Sequence, residues 1–595
     1  MFSGESTRSC ASEERPAWAL SLAEVSAALD EGSLSSTDVV FECASRVALC
    51  RASTNAWVST RLDAAMEDAE RCDARWAEQG GGVGERGRRR SAVDGVPVGV
   101  KDNFATVQGR TTCGSQMLRE YVSPFESAAT GAWLQDGAGA VSLGKTNMDE
   151  MGMGSHGVRG IWGPTVNPWC SVDPVTGERV AHVAGGSSSG SASAVASFQC
   201  FAALGSDTGG SVRLPAAFSG IAGFKPTYGR LSRLGMVAYG SSLDCPGILA
   251  RSAHDAGLCF GALLDGGAGA DHRRDAVTST TAGIALQDPF PSSEEDARAR
   301  IKALGVEAGD SLRGVRVGIP AEFHVAELTG DMLGCWDESA AACAASGADV
   351  VPVSLPRTKD ALAAYYIIAS AEAASNLARF GGNRYGHTAP FDDPADHSSS
   401  SSSSGTRQSG EQKAAVQAAE HPSAWMRATR TQGFGNEVLR RILVGTFVAS
   451  GGGSEQYLGR AMRLRRAVAQ DLAAVFSSGV DALLVPTAAG DAPRLDYAIG
   501  SGWGETTVGP SKYSAAEEYA TDCMTVPFSL AGLPVINVPA GLSARGMPLG
   551  LQLVGRLGRD WDLLAMARAL EGRLNFRQRL RESGTFWIQG AAPPL

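Results

Sequence analysis

What this 595-residue sequence lacks narrows its chemistry early. No apolar run approaches the roughly 18 residues that span a bilayer, so no membrane partner is expected. The twelve cysteines are scattered singly, with no CxxC pair and no short His/Cys cluster, so neither a metal site nor a disulfide framework is indicated and a reducing compartment is the expected home. Positive charge is also short: 53 Lys and Arg against 63 Asp and Glu give a net charge of −10. Such a chain does not hold a phosphate backbone by its own field, so any nucleic acid would be gripped by another subunit. Histidine is scarce, and the last of eight, His421, lies in a polar tract. Reading Gly186-Ser187-Ser188-Ser189-Gly190 as the G-x-S-x-G elbow of an α/β hydrolase is therefore disfavoured, because that fold takes its histidine last, after serine and acid, and the last histidine here falls in a polar tract. The same segment lacks the G-K-[ST] ending of a phosphate-binding loop.

What is present reads as a folded α/β chain. Hydrophobic residues make up 44% and charged residues 19%, near the globular average. The acids Glu5, Glu13 and Glu14 make the N-terminus a poor transit peptide, and residues 1–18 are expected to be a flexible N-terminus. Ser21-Leu22-Ala23-Glu24 is a capping box that starts a helix, and Ser36–Leu49 and Asp63–Trp76 read as two more. From Val93 short apolar runs alternate with helical stretches: VPVGVKD, GAVSLGK, Leu312–Pro320, Gly347–Val353, Val480–Pro486, Val535–Val538 and Leu549–Leu553, closed by a helix over Asp560–Glu571. This pattern predicts a central mixed β-sheet covered by helices in one domain over residues 19–595. Polar insertions are expected near 80–90, 288–309 and 392–421, the last with seven consecutive serines.

Three segments carry chemistry: VGVKDN at Val98–Asn103, GGSSSGS at Gly185–Ser191 and GSDTGGS at Gly205–Ser211. A hydroxyl nucleophile needs a base, and these segments offer Lys101 and Ser187 to activate Ser211. A lysine at its reference pKa of about 10.4 is a poor base near neutrality, so Lys101 must be desolvated or set near positive charge. The backbone N–H groups of Thr208, Gly209, Gly210 and Ser211 suit an oxyanion hole, because glycine lets the main chain approach a substrate. Asp207 and Arg213 either support that loop from behind or are ordinary surface charges.

The stretches VPVGVKDNF, GGSSSGSASAVA and GSDTGGSVRLPAAFSGIAGFKPTYGRLS resemble the amidase signature family, and the likeness runs from about Leu20 to Leu570. The resemblance implies the amidase signature fold, with helices on both faces of the sheet. It makes Ser211 the nucleophile, Ser187 a bridging serine on a cis peptide and Lys101 the base. One departure stands out, since the family usually has glycine where this chain has Ser189. A positive φ there would strain a serine.

Further segments, TTCGSQ, GKTNMDEMGMGSHG, GPTVNPW, YYIIASAEAASNLARF, GFGNEVLRRILVGTF and YATDCMTVPFSLAGLP, resemble the A subunits of glutamyl-tRNA(Gln) amidotransferases. That resemblance implies glutamine hydrolysis, with ammonia passed on for ATP-dependent conversion of Glu-tRNA(Gln) to Gln-tRNA(Gln). It assigns Arg441 to the glutamine carboxylate, Asp522 to its ammonium and Tyr365 to holding the substrate, with Arg440 as the adjacent candidate for Arg441. It implies a heterotrimer with the B and C subunits of the amidotransferase, Glu-tRNA(Gln) bound mainly through the B subunit, ATP and Mg used by that partner, and no cofactor in this chain. The expected compartment is the mitochondrial matrix, with a plastid or a bacterial cytoplasm as alternatives. A stand-alone amidase acting on small, aryl or fatty amides would keep Lys101, Ser187 and Ser211 without needing Arg441 and Asp522.

Overall fold

The computed structural model describes residues 15–79, 88–134, 136–268, 311–390, 422–499 and 515–583. Most of the expected flexible N-terminus, residues 80–87 of the insertion expected near 80–90, and the insertions expected near 288–309 and 392–421 lie outside these residues. Short strands with apolar residues on both faces build the centre. They are β1 (Trp57–Thr60), β2 (Pro97–Lys101), β3 (Val141–Thr146), β4 (Val166–Val172), β5 (Arg179–Val183), β6 (Ala202–Asp207), β7 (Ala222–Lys225), β8 (Cys245–Ala250), β9 (Arg316–Pro320), β10 (Asp349–Val353), β11 (Ala482–Pro486), β12 (Val535–Leu542) and β13 (Pro548–Gly555). Eleven form one mixed sheet in the order β1-β3-β2-β6-β8-β7-β12-β13-β11-β9-β10, while β4 and β5 pair as a separate hairpin. Every residue of β2, β3, β6, β7, β8, β11 and β13 is buried. That is the pattern of a sheet covered on both faces, and helices flank it.

The helical part follows its local signals. Ser21 accepts the Glu24 N–H at 3.2 Å while Glu24 takes the Ser21 N–H at 2.7 Å, so the capping box starts the helix Leu22–Glu31. Ser35 and Asp38 repeat the arrangement at the helix Ser36–Thr54. The helix Ser189–Ala196 is built from small residues and is buried along its whole length, as is Arg213–Ser219. Small side chains are what let the first of these lie inside the molecule.

Topology then sets the site. β2 runs parallel to both β3 and β6, with Val98 opposite Ala202 and Val100 opposite Leu204. The C-terminal ends of β2 and β6 therefore emerge side by side, and Lys101 ends one while Asp207 ends the other. Loops at the C-terminal ends of parallel strands are the usual place for α/β ligand sites.

Candidate active site

Lys101 is fully buried, and its ammonium lies among hydroxyls rather than carboxylates. Nζ donates to Ser187 Oγ, Ser188 Oγ and Ser206 Oγ, each at 2.8 Å, and to the Ser206 carbonyl at 3.3 Å. Asn103 Nδ2 donates to the same Ser206 hydroxyl at 2.9 Å. Burial is the main cause that brings the Lys101 pKa down to about 7, with Cys113 and the carboxylates of Asp149, Asp207 and Asp244 pulling weakly the other way. Desolvation thus supplies what the sequence reading required of a lysine base, without a neighbouring cation.

The Gly186–Ser187 peptide is cis. Gly186 has no alternative residue here, since a Cβ would stand 2.0 Å from Asp149 Oδ2. The Asp149 carboxylate also accepts the Gly157 and Arg159 N–H groups at 3.0 and 2.9 Å, tying the loop 149–159 behind the serine segment. Ser189 corrects the expectation of strain. It is the first residue of the helix Ser189–Ala196, it is absent from the positive-φ residues, and its hydroxyl lies 2.9 Å from Thr165 Oγ1. A helical start accepts serine as readily as glycine.

Ser211 lies at the head of the helix Arg213–Ser219, at 9% exposure, while Ser187 is 1% exposed. The two segments are joined by the Ser188 N–H donating to the Ser211 carbonyl at 3.1 Å. No hydrogen bond joins the Ser187 and Ser211 hydroxyls among the described residues, so the relay expected from the sequence is closed at its Lys101–Ser187 step and open at its Ser187–Ser211 step. Catalytic contacts of this kind commonly tighten only around a substrate. Among the described residues no backbone acceptor takes the N–H of Gly209, Gly210 or Ser211. The Thr208 hydroxyl donates to Asp244 Oδ1 at 2.7 Å.

Asp207 and Arg213 are not surface charges, since both are 0% exposed. Arg213 Nε and Nη2 donate to the two Asp207 oxygens at 3.0 and 2.9 Å. Nη1 reaches the Thr525 carbonyl at 2.9 Å and Gln552 Oε1 at 3.1 Å, and Nη2 reaches Ser529 Oγ at 2.7 Å. The pair fastens the Ser211 loop to the segment after Asp522. Burial works against the Asp207 carboxylate, but Arg213 prevails and holds its pKa below the usual value.

The other expected residues gather beside that loop. A Cβ on Gly209 would lie 2.5 Å from the Tyr365 hydroxyl, so the glycine is what lets Tyr365 reach the loop. Asp522 accepts from Ser155 Oγ at 2.9 Å and from the Tyr366 hydroxyl at 2.7 Å. Burial raises its carboxyl to about 6. Arg441 is buried, with its guanidinium 5.1 Å from the Tyr366 ring centre, 5.5 Å from Tyr519 and 5.6 Å from Tyr239. Its Nε donates to Glu437 Oε1 at 2.8 Å and its Nη1 to the Tyr239 hydroxyl. Nη2 has no protein partner among the described residues, which leaves a donor for a ligand. Arg440, the adjacent candidate, has a side chain 45% exposed against 5% for Arg441 and pairs with the other oxygen of Glu437. The helix Asn436–Ala449 therefore turns Arg441 inward and Arg440 out.

The chain as a whole, beyond this site, resembles known proteins. The family model described as Amidase matches residues 38–564. The chain belongs to the amidase family. Within it, the chain is 39% identical over 563 residues to the A subunit of the glutamyl-tRNA(Gln) amidotransferase of Cereibacter sphaeroides (strain ATCC 17029 / ATH 2.4.9), covering 95% of this chain and 99% of that one. The mitochondrial A subunit of the Xenopus laevis glutamyl-tRNA(Gln) amidotransferase is 36% identical over 569 residues, with 94% and 95% covered. The crystal structure of the corresponding A subunit from Thermotoga maritima matches with a TM-score of 0.64 at 30% identity, covering 93% and 95% of the two chains. For this amidase-family chain the sequence reading missed Ser188 and Ser206 around Lys101, and Tyr239, Tyr366, Tyr519 and Glu437 around Arg441. The i,i+4 spacing of Glu437 and Arg441 was the one local signal for the second group. Among the described residues no group of three or more His, Cys, Asp or Glu could hold a metal ion, and no helix is long and apolar enough to cross a membrane.

Proposed function

We propose that this protein is the glutamine-hydrolysing subunit of a glutamyl-tRNA(Gln) amidotransferase. The single observation that carries the glutamine reading is that two buried, opposite charges meet on one side chain. Tyr366 donates to Asp522 through its hydroxyl and faces the Arg441 guanidinium with its ring. An ammonium and a carboxylate on one substrate carbon suit that pair, and a simple amide has no use for it. The relatives named above support the same reading.

In this reading Ser211 Oγ attacks the side-chain amide carbon of glutamine. Its proton passes to Ser187 as Ser187 gives its own to neutral Lys101. The N–H groups of the Thr208–Ser211 loop receive the negative oxygen of the tetrahedral intermediate. Lys101 then returns a proton through Ser187 to the departing nitrogen, which leaves as ammonia, and a γ-glutamyl ester remains on Ser211. Water attacks the ester by the same proton path and frees glutamate. Tyr365 closes the substrate side of the loop. Ammonia goes to the B subunit, which binds Glu-tRNA(Gln) and uses ATP and Mg, while the C subunit completes the heterotrimer and this chain needs no cofactor of its own. We place the protein in the mitochondrial matrix, with a plastid or a bacterial cytoplasm as alternatives; the Xenopus laevis relative is mitochondrial and the Cereibacter sphaeroides relative is bacterial.

Ammonia release from glutamine, by the chain alone and with the B and C subunits, Glu-tRNA(Gln) and ATP, tests the proposal. Turnover that rises with the partners and disappears in Ser211→Ala supports it. An assembled complex that leaves glutamine intact while hydrolysing simple amides through Ser211 makes the chain a solitary amidase and removes the substrate roles of Arg441 and Asp522.

A further inference from the structure

The two short helices that follow Ser187 and Ser211 have far ends as well as ends beside the reacting groups. Ser189–Ala196 begins beside Ser187 and Ser188, and Arg213–Ser219 begins two residues after Ser211. At about 1.5 Å per residue, each carries the chain some 10–12 Å away from the reacting groups. Their C-terminal turns meet in one cavity of about 330 Å³, to which Val195, Ala196, Ser219 and Gly220 all contribute. This volume lies within the range of small-molecule sites, about 300–1,000 Å³.

The walls are apolar and largely aromatic: Trp169, Phe198, Ile221, Phe576 and Leu580. Three arginines, Arg251, Arg568 and Arg577, also face it. None has a carboxylate within ion-pair distance among the described residues. Arg251 is spent on the carbonyls of Trp18, Leu20 and Cys200 and lies between Phe198 and Phe201, 4.4 and 4.5 Å from their ring centres. Arg568 and Arg577 are exposed, and Arg577 touches the protein through one bond to the Arg251 carbonyl at 3.4 Å. The one acid among the described lining residues, Glu571, accepts the Ala253 N–H at 2.9 Å; burial raises its carboxyl to about 7 while Arg577 pulls it back, so near neutrality it cancels only part of the charge of the three arginines. Ser219 is 1% exposed, with a hydroxyl that has no partner among the described residues.

Two backbone features belong to the same place. Five non-glycine residues among those described have positive φ, and Phe198 (60°) and Asn575 (47°) both line this cavity. A bulky aromatic in that conformation is uncommon and marks a position that the surrounding structure enforces.

We propose that this cavity is a second ligand site, for a small molecule with an aromatic-sized apolar body and one anionic group. The body packs against Trp169, Phe198 and Phe576, the Ser219 hydroxyl meets a polar atom of the ligand, and Arg568 and Arg577 receive the anion at the mouth. The site is independent of the amide substrate, because the catalytic helices themselves separate it from Lys101 and Ser211.

The test is calorimetric titration of the full chain with 2-naphthoate and with 2-naphthylmethanol, which has the same ring system without the charge. The site predicts 2-naphthoate binding that is about tenfold tighter than that of the alcohol, since a charge-assisted pair with arginine is lost in the latter. The paired substitution Arg568→Gln with Arg577→Gln, both on exposed positions, erases that difference. Gly572→Trp, which fills the mouth from an exposed helical position, removes binding of both compounds while the far-UV spectrum stays unchanged. Glutamine at saturation leaves the 2-naphthoate affinity as it was. Absence of binding at millimolar 2-naphthoate overturns the proposal, and so does equal affinity for the two compounds. Displacement of 2-naphthoate by glutamine would place it in the catalytic cleft and overturn the proposal equally.

Discussion

Two lysines stand at the ends of neighbouring strands, equally buried and differently employed. In the register of β2 and β3, Lys101 lies opposite Thr146 while Val100 lies opposite Lys145, so the two side chains leave the sheet on opposite faces. Burial lowers the pKa of both. Lys101 meets three serine hydroxyls at 2.8 Å and no carboxylate within ion-pair distance among the described residues. Lys145 instead has the buried Asp102 at 3.5 Å, with the Phe104 carbonyl at 2.6 Å and Thr111 Oγ1 at 3.1 Å. The first environment leaves the neutral amine accessible near pH 7, and the second holds a cation against an anion. Burial makes a lysine available for proton transfer, and its partners decide whether it is used for that or as a fastener.

The largest break in this comparison is Lys101→Arg. A guanidinium keeps the positive charge but does not deprotonate in proteins, so it tests whether Lys101 works as a base or as a fixed cation. We expect amide hydrolysis per folded molecule to fall by about 10³-fold or more, the usual cost of losing one member of a coupled catalytic set, with some loss of thermal midpoint because a larger, permanent cation enters a fully buried site. Activity within tenfold of the parent would make Lys101 an electrostatic fixture like Lys145.

Lys145→Met is the mirror experiment. It leaves the fully buried Asp102 without its cation, and breaking such a pair costs about 3–5 kcal/mol. Denaturant unfolding should show that loss, while kcat per folded molecule stays within about twofold because Lys145 lies on the face away from the serines. A large fall in kcat with unchanged stability would show that Asp102 acts on its neighbour Lys101.

The pH profile separates the two lysines without mutation. Only neutral Lys101 accepts a proton, so kcat/KM should fall about tenfold per unit as pH drops below about 7, and Lys145 should leave no trace. On the proposed glutamine reading a second limb is expected near 6, where protonation of Asp522 would remove the carboxylate proposed for the substrate ammonium. A simple amide should show the first limb alone. A profile flat between pH 5 and 8 would contradict a titrating Lys101.

How much of this contrast could be read from the sequence depends on distance along the chain. Lys101, Ser187 and Ser211 were legible because their glycine-rich surroundings are contiguous motifs, and β2 and β3 were legible as short apolar runs. Lys145 sits in GAVSLGK with no local mark of its role, since its partner Asp102 is brought to it by strand pairing. Strand β8 went unread because Pro246 and Gly247 interrupt it, and β4 because Pro168 does the same. The tyrosines around Arg441 come from positions 239, 366 and 519, and no periodicity connects them. Which of Arg440 and Arg441 faces inward was set by helix packing, which a run of two arginines does not encode.

The finest contrast removes one hydroxyl from each lysine. In Ser206→Ala, Lys101 loses one of its three serine acceptors and Asn103 Nδ2 loses its partner. Hydrogen bonds to an ammonium favour the charged form, so their loss favours the neutral amine, and the acid limb of kcat/KM should move to lower pH. The maximal rate should fall by about three- to tenfold, because the amine is held less firmly against Ser187. Thr111→Val takes one acceptor from Lys145 in the same way and should cost about 1 kcal/mol of stability with the acid limb in place. If Ser206→Ala moved stability alone and Thr111→Val moved the limb, the division of labour between the two faces of the sheet would be reversed. Identical responses from the two variants would mean that burial, not the identity of the partners, sets what each lysine does.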